Sequence, residues 1–145
     1  MSLAISRPRS AATIALRVAI VGLTLATGYI HFTLGGLLFL ANAAGYATLA
    51  AAMVAPIALA SDFRWLVRLA LMGYAATTIT AWAILGPYFT LAYVAKGIEV
   101  ALIVLLALET YREVGGPVAV ARRIGSLVST ITSRLVGRRS QPAGI

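Results

Sequence analysis

Residues 18–61, VAIVGLTLATGYIHFTLGGLLFLANAAGYATLAAAMVAPIALAS, contain no Asp, Glu, Lys or Arg, and their one basic side chain is His31. At a helical rise of about 1.5 Å per residue this stretch is roughly twice as long as a bilayer's hydrocarbon core is thick, so it reads as two membrane-spanning helices. The break between them falls at Thr33, Leu34, Gly35 and Gly36, residues that end a helix without adding charge. A second apolar block runs from Trp65 to Leu108, interrupted by Arg68, Lys96 and Glu99. It has the length of two more spans, with Gly86, Pro87 and Tyr88 as the turn.

The spans are therefore expected at about residues 13–32, 37–59, 64–85 and 89–110. Hydrophobic residues make up 61% of the 145 and charged residues 11%, a balance that a water-soluble fold of this size could not bury. The fold class expected is an all-α integral membrane four-helix bundle. Arg7 and Arg9 ahead of an apolar run also describe a secretory signal peptide. The run is too long for one, Arg17 lies within it and no small-residue cleavage site follows, so it reads as a retained first span.

Charge gives the orientation. The net charge is +8, and eleven of the twelve Lys and Arg residues lie near span ends or in the tails. The N-terminal tail (residues 1–12), the middle turn beside Arg64 and Arg68, and the chain from Arg112 onward are basic, whereas both hairpin tips are uncharged. Cytoplasmic segments are enriched in Lys and Arg, which places both termini inside and the tips outside. The same distribution argues against nucleic acid as the reason for the basic charge. Arg17 and Arg68 are expected to snorkel to the inner headgroups, and Trp65, Tyr88 and Tyr111 to anchor span ends at the interface.

Beyond Gly115, Gly116 and Pro117, residues 117–137 place Val120, Ile124, Leu127, Val128, Ile131 and Leu135 at helical spacing, with Arg and Ser between them. This reads as an amphipathic, interfacial helix. Arg112, Arg122, Arg123, Arg134, Arg138 and Arg139, in and around this helix, are the expected contacts with anionic headgroups, and residues 138–145 are expected to be a disordered tail.

Cysteine is absent, which excludes disulfides, thiolate metal sites and a cysteine nucleophile. One His leaves little for a zinc or di-haem site, and no metal or cofactor is expected. No P-loop, nucleophile elbow, metalloprotease motif or catalytic carboxylate pair is present, so the chain does not read as an enzyme.

Lys96 and Glu99 carry the chemistry. Both fall inside the fourth span, where an unpaired charge costs several kcal/mol, and three residues apart they meet on one helix surface. Counting inward from the tips, they lie about 10 and 15 Å deep. The same count brings Asn42, Tyr46, Thr77, Thr80, Trp82 and Tyr93 to that layer, with Tyr29 and His31 at or just above it. The candidate intramembrane polar site is thus Lys96, Glu99, Asn42, Tyr46, Tyr93 and His31. It reads either as a small outward cavity handling a proton or a cationic or hydroxylated ligand, or as a structural ion pair that sets helix packing.

The run from His31 through Gly35, Gly36, Leu37, Leu38, Phe39, Leu40, Ala41, Asn42 and Ala43 resembles the first hairpin of small uncharacterised bacterial four-span membrane proteins. That resemblance implies a bacterial inner membrane and the same layout, and it implies no activity. The first functional expectation is a non-enzymatic subunit or accessory of a membrane complex, as a homo-oligomer or with partner membrane subunits. The alternative is a small proton-coupled transporter or ligand-binding bundle using Glu99 and Lys96. Haem or quinone binding near His31 is a third.

Overall fold

The structure, a computed structural model, describes residues 11–55 and 63–139, with side chains as far as 135. The described residues form five helices: α1 (Ala11–Leu34), α2 (Leu37–Val54), α3 (Arg64–Leu85), α4 (Thr90–Val114) and α5 (Pro117–Arg139). The first four are each long and apolar enough to cross a membrane. The chain divides into two compact units, Met1–Glu109 and Thr110–Ile145. Most of the N-terminal tail, residues 56–62 of the middle connection and residues 140–145 of the expected disordered tail lie outside the described residues.

The breaks between helices have local causes. Gly35 and Gly36 both take positive φ, 68° and 78°, a conformation that costs glycine little and lets two residues reverse the chain between α1 and α2. Described α2 ends at Val54, short of the expected residue 59. Ala55 precedes Pro56, and the proline ring holds it extended, at ψ 126°. The second hairpin turns at Gly86 and is clasped by side chains. Trp82 Nε1 donates to the Pro87 carbonyl at 2.9 Å, and the Tyr88 hydroxyl donates to the Ala83 carbonyl at 2.9 Å.

In the first unit α1, α2, α3 and the part of α4 up to Glu109 share one core, built from Ile20, Tyr46, Met53, Leu71, Leu102 and Leu106. α2 and α3 approach closely at Gly45, where a Cβ would collide with the Tyr74 hydroxyl. Tyr74 packs edge-on against Tyr46 and donates to the Asn42 carbonyl at 3.2 Å.

The polarity of this unit is inverted relative to a protein folded in water. Glu99, Glu109 and Arg68 are at most 1% exposed, while Leu37, Leu38, Ile84 and Leu85 are at least 73% exposed. Apolar side chains facing out on every span, with charges turned in, form a surface suited to lipid.

The second unit contains the end of α4 and α5. Gly115 at φ 99° separates the two, and Pro117 opens α5, where its missing N–H costs nothing. Arg112, Arg122, Arg123 and Arg134 are exposed, as are Ile124, Val128, Ile131 and Leu135; the side chains of Arg138 and Arg139 are outside the described set.

Candidate functional site

Two buried carboxylates organise the first unit. Glu99 and Glu109 lie ten residues apart on α4, Thr27 and Arg17 ten apart on α1, and Thr78 and Arg68 ten apart on α3. Ten residues of helix rise about 15 Å, so the partners of the two carboxylates fall into two levels. One lies toward the hairpin tips and the other toward the N-terminal end of α1.

At the tip level Glu99 is fully buried. Its Oε2 accepts from Lys96 Nζ at 2.6 Å and from the Thr78 hydroxyl at 2.8 Å. Its Oε1 accepts from the Thr27 hydroxyl at 3.1 Å, and His31 Nε2 stands 3.8 Å from the same oxygen. The Tyr46 and Thr78 hydroxyls are 3.0 Å apart, and with Thr78 donating to the carboxylate, Tyr46 supplies the proton of that bond. Every one of the four spans therefore contributes to the cluster.

The histidine's tautomer follows from its neighbours. Nδ1 lies 2.8 Å from the Thr27 carbonyl, which can only accept, so Nδ1 carries the hydrogen. In neutral His31 the bare nitrogen is then Nε2, the one facing Glu99.

Above this cluster, toward the tips, is a cavity of about 370 Å³ among the four spans. Its walls are apolar and aromatic, including Phe39, Trp82 and Phe89, and its polar groups include His31, Thr78 and Lys96. Glu99 does not line it. The cavity thus meets Lys96 and Thr78, which donate to the carboxylate, and the His31 ring before it meets the carboxylate. Below the cluster the helices close over Ile20, Leu71, Leu102 and Leu106, all fully buried.

Of the residues expected from sequence, the structure brings Lys96, Glu99, Tyr46 and His31 together. Asn42 lines the cavity, and its backbone carbonyl serves Tyr74. Tyr93 is not part of the cluster. It is 56% exposed and stacks edge-on against Trp82 at 5.0 Å, because the buried stripe of α4 runs through Ala92, Ala95, Lys96, Glu99 and Leu102. Thr77 and Thr80 are exposed and bond carbonyls of their own helix, and Tyr29 is 68% exposed.

Sequence reasoning missed Thr27 and Thr78, the hydroxyls that hold Glu99. Thr27 sits one turn before His31 on the same face, a spacing that could have pointed to it.

The second carboxylate was missed as well. Glu109 Oε1 accepts from Arg17 Nε at 2.8 Å and its Oε2 from Arg68 Nε at 2.9 Å. Arg68 is 1% exposed, so it does not snorkel to headgroups; its guanidinium is held inside by the carboxylate. Trp65, expected at an interface, is also buried. Among the described residues no group of three or more His, Cys, Asp and Glu could hold a metal ion.

No family model, curated protein or solved structure compared with the chain matches it.

Proposed function

We propose that the chain is a non-enzymatic, multi-pass membrane protein whose tip-level cavity binds a small amphipathic molecule, with His31, Lys96 and Thr78 meeting its polar end. The observation that carries this reading is the cavity itself: about 370 Å³ of apolar space ending on the donors that surround a buried carboxylate. Pockets of that size and lining, with few convergent polar groups, are the ordinary form of a small-molecule site. A purely structural ion pair needs no such space beside it.

The basic segments support a topology with both termini cytoplasmic and the cavity opening outward, and the resemblance of the first hairpin supports a bacterial inner membrane. In the second unit, α5 serves as an amphipathic helix for anionic lipid, with Arg122, Arg123 and Arg134 as headgroup contacts beside Arg112 at the end of α4, and Arg138 and Arg139 continuing the basic run.

Binding is favoured over transport by the fully buried Ile20, Leu71, Leu102 and Leu106, which seal the space between the two carboxylate levels. It is favoured over haem ligation by the orientation of His31, whose Nδ1 faces the Thr27 carbonyl and whose Nε2 faces Glu99. Service as an accessory subunit is compatible with ligand binding and adds a partner rather than replacing the site.

Trp82 lines the cavity and reports on it. In a Trp65→Phe background, energy transfer from Trp82 to the uncharged probe N-phenyl-1-naphthylamine should saturate. The saturable part should disappear in Ala81→Phe, which fills the cavity from α3. Equal transfer with and without the Phe would remove the cavity reading.

A further inference from the structure

Resting on the cavity reading, we infer that the ligand's polar end is an anion, seated on Lys96, and that one proton enters the Glu99 cluster each time the anion binds.

The first half follows from what the cavity meets. A cationic head would encounter the Lys96 ammonium and the His31 ring, while the carboxylate that could attract it lies fully buried behind them. On this inference an anion is preferred to the cationic ligand that the sequence suggested. An anion meets the Lys96 ammonium. Lys96 Nζ offers three hydrogens, and one of them satisfies Glu99 Oε2.

The second half follows from charge balance in a low-dielectric site. Lys96 and Glu99 together are neutral, so an anion adds one uncompensated negative charge among apolar walls, where it costs most. A proton from water reaching the cluster restores neutrality. The place for it is the gap between His31 Nε2 and Glu99 Oε1, 3.8 Å wide. The Thr27 carbonyl fixes the hydrogen on Nδ1, so both atoms at this gap bear lone pairs when His31 is neutral and Glu99 ionised. A hydrogen added on either side turns that contact from repulsive to attractive.

The titratable groups facing the gap come from every span: His31 on α1, Tyr46 on α2 with its ring 5.7 Å from the histidine, Tyr74 on α3 against Tyr46, and Lys96 and Glu99 on α4. Lys96 is the only one with a positive charge when His31 is neutral, and Glu99 already compensates it.

Two probes with the same aromatic body separate the ideas: 8-anilinonaphthalene-1-sulfonate, whose sulfonate stays ionised, and uncharged N-phenyl-1-naphthylamine. Each is titrated into the full chain carrying Trp65→Phe, in phosphatidylcholine nanodiscs, between about pH 5 and 8, where imidazoles ordinarily change charge. The signal is the Trp82 energy transfer lost in Ala81→Phe. The sulfonate should bind more tightly as pH falls, by up to about tenfold per pH unit for one linked proton, and the uncharged probe equally at every pH.

Glu99→Gln mimics the protonated carboxyl, and should bind the sulfonate at pH 8 as tightly as the parent does at pH 5. Lys96→Gln should lose about tenfold or more of the sulfonate affinity while keeping the uncharged probe. Sulfonate affinity that is flat with pH, or unchanged by Glu99→Gln, overturns proton linkage and leaves the cavity standing. Binding of the uncharged probe alone overturns the anion. Binding of neither probe sinks the cavity reading beneath both.

Discussion

Glu99 and Glu109 are the same residue type on the same helix, ten positions apart, both excluded from solvent, yet their surroundings differ in kind. Glu109 lies between two guanidinium groups, Arg17 and Arg68, that stay charged at any pH a protein survives. Glu99 is held by two hydroxyls and an ammonium, with an imidazole within 4 Å and a cavity over its partners. The first arrangement ties three spans together through one carboxylate. The second has two hydroxyls, an imidazole whose bare nitrogen faces the carboxylate, and space for another molecule. Burial of a carboxylate therefore does not separate structure from function in this bundle; the kind of partners it has and the space beside them do.

The largest effect expected of any single change tests the locked side. Glu109→Gln removes the carboxylate to which Arg17 and the buried Arg68 both donate, and should cost about 3–5 kcal/mol in reversible unfolding from mixed micelles. Glu99→Gln leaves one ammonium beside the cavity, where water or an anion can reach it, and should cost roughly 1–2 kcal/mol. Equal losses would erase the distinction between the two levels.

Arg68→Lys keeps the charge and gives up the planar fork, and should lose about 1–2 kcal/mol by the same measurement. A loss near that of Glu109→Gln would mean that geometry matters there as much as charge.

A smaller contrast lies on α3. Thr78→Val removes the hydroxyl between Tyr46 and Glu99 and should cost about 1 kcal/mol. Thr77→Val, one position away and exposed, should stay within about 0.5 kcal/mol of the parent. Tyr93→Leu, on the outer face of α4, should be similarly silent in stability. If Thr77 or Tyr93 proved costlier than Thr78, the inward face assigned to these helices would be wrong.

These pairs also show why the sequence was easier to read along the chain than around each helix. Lengths and breaks follow from uncharged runs, from Gly35 and Gly36, and from Gly86 and Pro87, all visible without coordinates. Facing was another matter. A span in lipid is apolar on its outer side as well as its inner side, so the periodicity that marks the core face of a soluble helix is nearly erased. Thr77, Thr78 and Thr80 look alike in such a run, and depth counting alone chose the two that do not reach Glu99.

Glu109, Arg17 and Arg68 were obscured for a related reason. Each lies near the end of a span, where a long charged side chain can reach headgroups, and nothing local tells a snorkelling residue from one turned inward. Their shared level, ten residues from Thr27, Thr78 and Glu99, becomes visible only when three helices are laid side by side.

By itself the sequence determined that the chain contains four apolar helices joined in hairpins, and that Lys96 and Glu99 form a polar break inside one of them. Those facts depend on local length, charge and turn chemistry, which neighbouring residues carry. Only the tertiary structure decided which hydroxyls hold Glu99, that the cavity meets donors before it meets the carboxylate, and that a second carboxylate ties two arginines together. Each of these rests on atoms tens of residues apart, brought within 3 or 4 Å by helix packing, and no local pattern encodes that distance.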